Sequence, residues 1–345
     1  MMKQKMVMCL LAGVLVLGMS GCGAQEVEVP EVENVETAEE EPVPEETAEE
    51  EGDEQEKIDA EDQLKEVPTV DDAAESGKTE PEETEAASAP VVYEDGGQIT
   101  LDPSWTYADH SKINSGAAVL YKAAENRKEI VVGVNAGHGT SGGTKVKTLC
   151  HPDGSAKVTG GTTAAGETEA VAVSSGMTFN DGTPESSVTL RMAQILKEKL
   201  LAAGYDVLML RDGDDVQLDN VARTVICNNA ADCHIALHWD GDGLNYDKGC
   251  FYISVPDGLK SMEPVASHWS EHNALGSALV EGLRAQGAKI NGGGSMSIDL
   301  TQTSYSTVPS VDMELGNACS DHSDSALDLL GNGLVQGVNS YFGQS

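Results

Sequence analysis

Aromatic side chains are scarce: three Phe, three Trp and eight Tyr make up 4% of the 345 residues. Basic residues are also few, with 21 Lys and Arg against 58 Asp and Glu, for a formal net charge of -37. Nucleic-acid binding needs clustered Lys and Arg, so this balance argues against it. The Gly- and Thr-rich run at 137–145 lacks the GK[ST] ending of a phosphate loop, which leaves no case for a nucleotide partner. No CxxC pair is present, so a thiolate zinc site has little support. The apolar run Met6–Leu17 is too short for a comfortable membrane span.

What is there is unevenly distributed. Residues 23–100 carry 29 Asp and Glu against Lys57, Lys65 and Lys78, a net charge of -26. Rich in Glu, Pro, Thr and Ala, with almost no aromatics, this segment cannot bury enough apolar surface to offset chain entropy. It shows no period of 2 or 3.6, and its like charges extend it. We read it as a disordered stalk, an acidic interaction tail being the alternative. Ahead of it, Lys3 and Lys5, the apolar run, and then Ser20-Gly21-Cys22 have the layout of a secretory signal. Met19-Ser20-Gly21-Cys22 resembles a bacterial lipobox, with Met in place of the usual Leu. On that reading Cys22 is lipidated and tethers the chain to the outer face of the bacterial cell membrane. Ordinary signal cleavage beside an incidental cysteine is the plainer alternative.

The expected organisation is therefore a signal peptide over 1–22, the stalk over 23–100, a lead-in over 101–128 and a folded domain over 129–345. Of the seven cysteines, Cys150, Cys227, Cys233, Cys250 and Cys319 fall in the folded part. Five is odd, so at least one is a free thiol or pairs between molecules. Cys227, Cys233 and Cys250 lie in apolar contexts and read as small buried residues.

β-rich runs at 129–135, 206–210, 233–238, 249–255 and 311–315 alternate with helical patterns. Val188, Met192, Ile195, Leu196 and Leu200 share a face over 185–203, and helices follow over 218–230, 271–286 and 327–341. This order predicts an α/β fold of three layers, a mostly parallel sheet with helices on both faces. Sites in such sheets gather at the carboxyl ends of the strands. Residues 139–184 form a long Gly- and Thr-rich excursion, and long loops in compact domains are usually functional.

Two histidines, His138 and His238, sit where a strand gives way to a loop. Glu185 opens the helix after the long excursion. On parallel neighbours these groups meet at one sheet edge. Two imidazoles and a carboxylate, with one position left for water, make a hydrolytic zinc site. Glu314, at the end of a late strand, is placed to move a proton there. The structural reading of each histidine stands beside this one, because a His near a strand end is more often structural than a ligand.

The C-terminal part, about 129–342, resembles the zinc-dependent N-acetylmuramoyl-L-alanine amidases of the type-3 cell-wall group. Ala136-Gly137-His138-Gly139 is similar to the family's AGHG, and Glu185 to its ligand glutamate at a helix start. Gly204-Tyr205-Asp206-Val207 with Leu210-Arg211-Asp212 resembles its GYxV…TRxxD stretch. Arg223 and Asn228 fall where it has R…AN, and Ala231-Asp232 through His238 where it has ADxxxSIH. Pro309 to Glu314 keeps its P-x-x-x-x-E interval. The resemblance implies Zn2+ held by His138, Glu185 and His238, with Glu314 as the catalytic glutamate. It implies peptidoglycan as the partner and hydrolysis of the amide between N-acetylmuramic acid and L-alanine. A non-catalytic wall-binding lipoprotein on this fold, or a zinc hydrolase of another amide, are the alternatives.

The chain also departs from the pattern. Asn135 stands where the family usually has Asp, a position that orients the histidine or its loop. His234 shares the face of His238 and reads first as a satisfied core histidine, support behind the ligands being the alternative. His151 is an outside candidate ligand. Arg211 and Arg223 read as ion-pair partners rather than contacts to a substrate carboxylate. Trp239 either stacks on a sugar or caps the core. The 46 residues between His138 and Glu185 exceed the family's interval and suggest an elaborated loop over the site. Asn317-Ala318-Cys319-Ser320 departs from the family's aromatic-rich tail, which alters the substrate rim.

Overall fold

A central sheet of eight strands carries the fold. The structure, a computed structural model, describes residues 93–344. The expected signal segment, Cys22 and the acidic segment up to residue 92 lie outside the described residues. In chain order the elements are β1 (Gln98–Ile99), β2 (Ala118–Tyr121), β3 (Val131–Ala136), β4 (Lys147–Leu149), β5 (Glu169–Val171), α1 (Glu185–Ala202), β6 (Asp206–Met209), α2 (Asn220–Ala230), β7 (Cys233–Asp240), β8 (Cys250–Ser254), α3 (Val265–Ala285), β9 (Ile290–Ser297), α4 (Thr301–Tyr305), β10 (Ser310–Asn317) and α5 (Asp324–Tyr341).

The sheet order is β1-β2-β6-β3-β7-β10-β8-β9. β6, β3, β7 and β10 run parallel, as do β8 and β9, while β1–β2, β2–β6 and β10–β8 are antiparallel. The sheet is thus mixed but mostly parallel. β1 and β2 extend it beyond β6. Gln98–Ile99 and Ala118–Tyr121, read from sequence as the end of the stalk and part of a lead-in, therefore belong to the sheet. Asp219 ties the lead-in down, one oxygen accepting from the Lys112 and Ile113 backbone N–H groups at 2.6 and 2.9 Å.

Side chains alternate along the strands, which sorts them by face. Val132, Val134 and Ala136 of β3, Ile235 and Leu237 of β7, and Val311, Met313 and Leu315 of β10 pack with α1, α3 and α5. α1 contributes Val188, Met192, Leu196 and Leu200, the spacing expected of a one-faced helix. The opposite face is covered by α2 and α4, with Leu208, Ala222 and Ile226 in one cluster and Val221, Val225 and Tyr305 in another. Alternation then assigns Asn135, His234, His238, Asp312 and Glu314 to this second face. A strand buried on both faces is normally apolar throughout. β10 instead presents Ser310, Asp312 and Glu314 in a row, and their reason lies at the site.

All five described cysteines are free thiols. Cys150, Cys227, Cys233 and Cys250 are buried and Cys319 is partly exposed. None of the helices among the described residues is long and apolar enough to cross a membrane.

Candidate metal centre

β3 and β7 are hydrogen-bonded neighbours, with Ala136 beside Leu237, and the Gly137 N–H continues the ladder to the Leu237 carbonyl at 3.1 Å. His138 follows immediately, with φ of 66°. A left-handed backbone is uncommon outside glycine and needs support. Two buried arginines supply it. Arg223 donates to the carbonyls of Ala136, His138 and Leu218 and to Asn135 Oδ1 and Thr140 Oγ1, which engages all five of its N–H groups. Arg211 donates to the carbonyls of Ala136, Gly137, Ser186 and Gly213 and to Thr189 Oγ1. Burial and the neighbouring Arg211 charge pull the Arg223 guanidinium down to about 9, and burial pulls Arg211 to about 10. The expectation that these arginines form ion pairs is corrected: both clamp the backbone of the His138 turn.

The turn aims His138 at Glu185 and His238. His138 Nε2 lies 2.8 Å from Glu185 Oε1 and 3.0 Å from His238 Nδ1, and His238 Nδ1 lies 3.2 Å from Glu185 Oε1. The rings meet edge to face, with centroids 4.6 Å apart. His138 Nδ1 sits 2.9 Å from the Ser174 carbonyl, an acceptor that places the ring proton on Nδ1 and leaves the Nε2 lone pair facing the cluster. Glu185 is the first residue of α1, where a carboxylate is favoured by the helix dipole. Its Oε2 accepts from Met177 N–H at 2.8 Å and its Oε1 from Trp239 N–H at 3.0 Å.

Two glycines make room for this convergence. A Cβ at Gly176 falls 2.7 Å from His138 Cδ2 and 2.8 Å from Glu185 Oε2, and a Cβ at Gly137 collides with the His238 ring.

Charge in the cluster is out of balance. Burial alone would lift the Glu185 carboxyl, but His138 and His238 hold it well below the usual carboxylate range. Burial works against a charged His238, yet Asp312, Glu185 and Glu314 outweigh it and push the imidazole up to about 10. Glu314 is driven well above its ordinary value by burial and by Asp312. Asp312 is raised by burial, against the pull of His238. Glu314 Oε2 and Asp312 Oδ1 are buried with no hydrogen-bond partner. The surroundings favour positive charge.

Among the described residues, His138, Glu185 and His238 form the one group of three or more His, Cys, Asp or Glu side chains arranged to hold a metal ion, with ligand atoms all within 4.8 Å of one another. Four-coordinate zinc at about 2.0–2.1 Å from its ligands separates them by about 3.3 Å. The 2.8–3.2 Å spacings here are close to that, and the donor set of two imidazoles and a carboxylate suits the ion. Glu314 stands beside His238 in the β10–β7 register. A cavity of about 650 Å³ opens over these groups. Gly161–Thr163 and Ser174–Met177 of the long excursion line it together with Ile298–Gln302.

The remaining expected residues fall elsewhere. Asn135 Oδ1 accepts from Arg223 at 2.9 Å, so it supports the loop through the arginine and makes no hydrogen bond to either ring. His234 is fully buried, and neither ring nitrogen has a partner; it makes no hydrogen bond to a site residue. His151 is also fully buried, but Nε2 is held by Asp299 at 2.9 and 3.0 Å, far from a ligand role. Trp239 is 2% exposed and packs edge-on against Phe179, which makes it a core residue. Sequence reasoning missed Asp312. Its signal was available, because alternation along β10 puts it on the face of Glu314. The carbonyl of Ser174 and the N–H groups of Met177 and Trp239 left no signal, since any residue type supplies them.

Fold and site together define an α/β protein whose sheet gathers, at the carboxyl edge of its parallel strands, two imidazoles and a carboxylate arranged as a metal ion's ligands would be. Residues 132–328, more than half of the chain, match the N-acetylmuramoyl-L-alanine amidase family, and the chain belongs to that family. Comparison with curated protein sequences returns no match. Among solved structures, the fold is similar to the N-acetylmuramyl-L-alanine amidase Ami1 of Mycobacterium smegmatis, at 19% identity and a TM-score of 0.53, over 64% of this chain and 99% of that one. It is also similar to the apo form of Ami1 from Mycobacterium abscessus, at 21% identity and a TM-score of 0.50, over 62% and 99% of the two chains.

Proposed function

We propose that this protein is a zinc-dependent N-acetylmuramoyl-L-alanine amidase that cleaves the bond between the lactyl group of N-acetylmuramic acid and L-alanine in peptidoglycan. The observation that carries the reading is the meeting of His138, Glu185 and His238 within 4.8 Å, with Glu314 next to them. His138 Nε2, Glu185 Oε1 and His238 Nδ1 would hold the ion. Zinc, when bound, supplies Lewis acidity to the amide carbonyl and makes a water acidic at neutral pH. Glu314 takes the proton from the attacking water and returns it to the departing amine of L-alanine; its raised proton affinity suits both transfers. Arg211 and Arg223 keep the His138 turn in place and take no part in proton transfer. Cys22 carries the lipid, and the acidic segment that follows spaces the domain from the membrane, a reading supported by the layout of residues 1–22 and the charge of 23–92.

The test uses the full-length chain with Zn2+ on cell-wall sacculi. New L-alanine amino termini are expected from the unaltered protein. Glu314→Gln should retain one zinc per chain and lose at least a hundredfold in turnover, in line with general-base effects of about 10²–10⁴. Full turnover in Glu314→Gln removes Glu314 from the chemistry. Sacculus binding without release by the unaltered protein overturns the enzyme reading.

A further inference from the structure

Asp312 has no role in the scheme above, yet its position is costly. It is 9% exposed, one carboxylate oxygen has no partner, and no cation other than an imidazole is near it. An unpaired buried carboxylate normally disfavours folding. Leu or Val at this place would continue the apolar character of a central strand.

The register shows what the carboxylate faces. Asp312 pairs across the ladder with Ala236, and Glu314 with His238. Ala236 is small, so the Asp312 side chain leans along the strands toward the next residue of its face on β7. That residue is His238, and Asp312 Oδ2 lies 4.0 Å from His238 Nε2. His238 turns its other nitrogen, Nδ1, toward Glu185 and His138. An imidazole that gives Nδ1 to a metal must carry its proton on Nε2, and such rings are usually oriented by an acceptor behind them. His138 has its acceptor in the Ser174 carbonyl. Among the described residues, Asp312 is the carboxylate within 4.0 Å of the Nε2 of His238.

We propose that Asp312 is the positioning residue of the metal centre: its Oδ2, 4.0 Å from His238 Nε2 here, closes to hydrogen-bond reach and accepts the Nε2–H when Nδ1 is presented to the ion. This rests on the assignment of His238 as a ligand. Asp312 contacts neither water nor substrate in this role; it acts through His238. It takes the place expected from sequence for Asn135 or His234.

Zinc affinity, measured by chelator competition on the full-length chain, tests the proposal. Asp312→Leu should weaken zinc 10- to 100-fold, the usual effect of losing such a partner. Its metal-free form should melt no lower than the unaltered protein, since an unpaired buried carboxylate has been replaced by an apolar side chain. Asp312→Asn, which keeps an acceptor oxygen in nearly the same shape, should restore most of the affinity. The visible spectrum of the Co2+ form should shift in the Leu variant and return toward normal in the Asn variant, which a merely structural residue would not produce. Equal zinc affinity in all three proteins overturns the role of Asp312. If the unaltered chain itself binds no zinc, the metal assignment fails instead, so the two failures are separable.

Discussion

His234 and His238 lie four residues apart on one face of β7, yet burial treats them in opposite ways. His238 is surrounded by carboxylates. His234 has none, and desolvation, with the nearby charges of Arg223 and His272, pulls it down to about 3. His272 is pulled to about 3 by burial as well. Both are neutral in the fold and take up protons near pH 6.5 once unfolded. Between pH 6.5 and 3 the unfolded chain therefore binds more protons, so stability falls as pH falls. We expect His234→Leu to flatten that acid limb in metal-free protein, by about 1.4 kcal/mol for each unit of depression removed. Urea midpoints at pH 7.5 and 4.5 measure it, and parallel losses in both proteins would refute the assignment. At this scale the meeting of His138, Glu185 and His238 was legible, because the three stand in motifs whose order the chain keeps. The arginines were misread because a guanidinium that serves backbone carbonyls and uncharged side-chain oxygens leaves no complementary acid in the sequence to find.

Among the elements, the excursion between β3 and α1 shows how a polar loop becomes a wall. Its β4–β5 hairpin is short, and much of its order comes from one buried carboxylate beyond β9. Asp299 accepts from His151 Nε2 and, at 2.8 Å, from the Val158 N–H, while its own N–H donates to Thr159 Oγ1 at 2.7 Å. Lys157 Nζ donates to its backbone carbonyl. Removing one member of a buried, hydrogen-bonded charge group costs about 3–5 kcal/mol. Asp299→Ala should free residues 150–165 to exchange amide hydrogens while α1 and the β3–β7 ladder stay protected. Unchanged protection in that segment would show that the hairpin stands without Asp299. Sequence reading found the length of this excursion but not its clamp, because Asp299 is some 140 residues from its partners. β9 was missed for a different reason. Its INGGGSMS carries three glycines and few β-formers, and it is held as an edge strand by parallel pairing with β8.

For the molecule as a whole, the start of the folded domain is set by the sheet rather than by composition. Charge density suggested a border at residue 100, but Ile99 is 2% exposed and pairs with Ala118 of β2, and β2 covers the edge of β6. Limited proteolysis of the full-length chain should therefore leave an active fragment that starts between residues 23 and 97. A stable active fragment starting beyond Tyr121 would show β1 and β2 to be dispensable. Protein that stays soluble before proteolysis, in cells that process lipoproteins, would remove the anchor. The alternation of strands and helices made the layered architecture readable, and the expected boundaries lie within a few residues for β3, β7, α1 and α5. The β1–β2 pair was hidden because two- and four-residue strands carry too little periodicity to stand out.

Gly137 and Gly176 touch the candidate ligands with nothing but hydrogen. Neither has a side chain to donate, accept or carry charge, and neither would attract notice in a search for reactive groups. Yet an alanine at either place would claim space now filled by an imidazole, and the ring would have to retreat from the point where three donor atoms converge. The centre is thus as vulnerable at two chemically silent positions as at its ligands, and a single methyl group suffices to dismantle it.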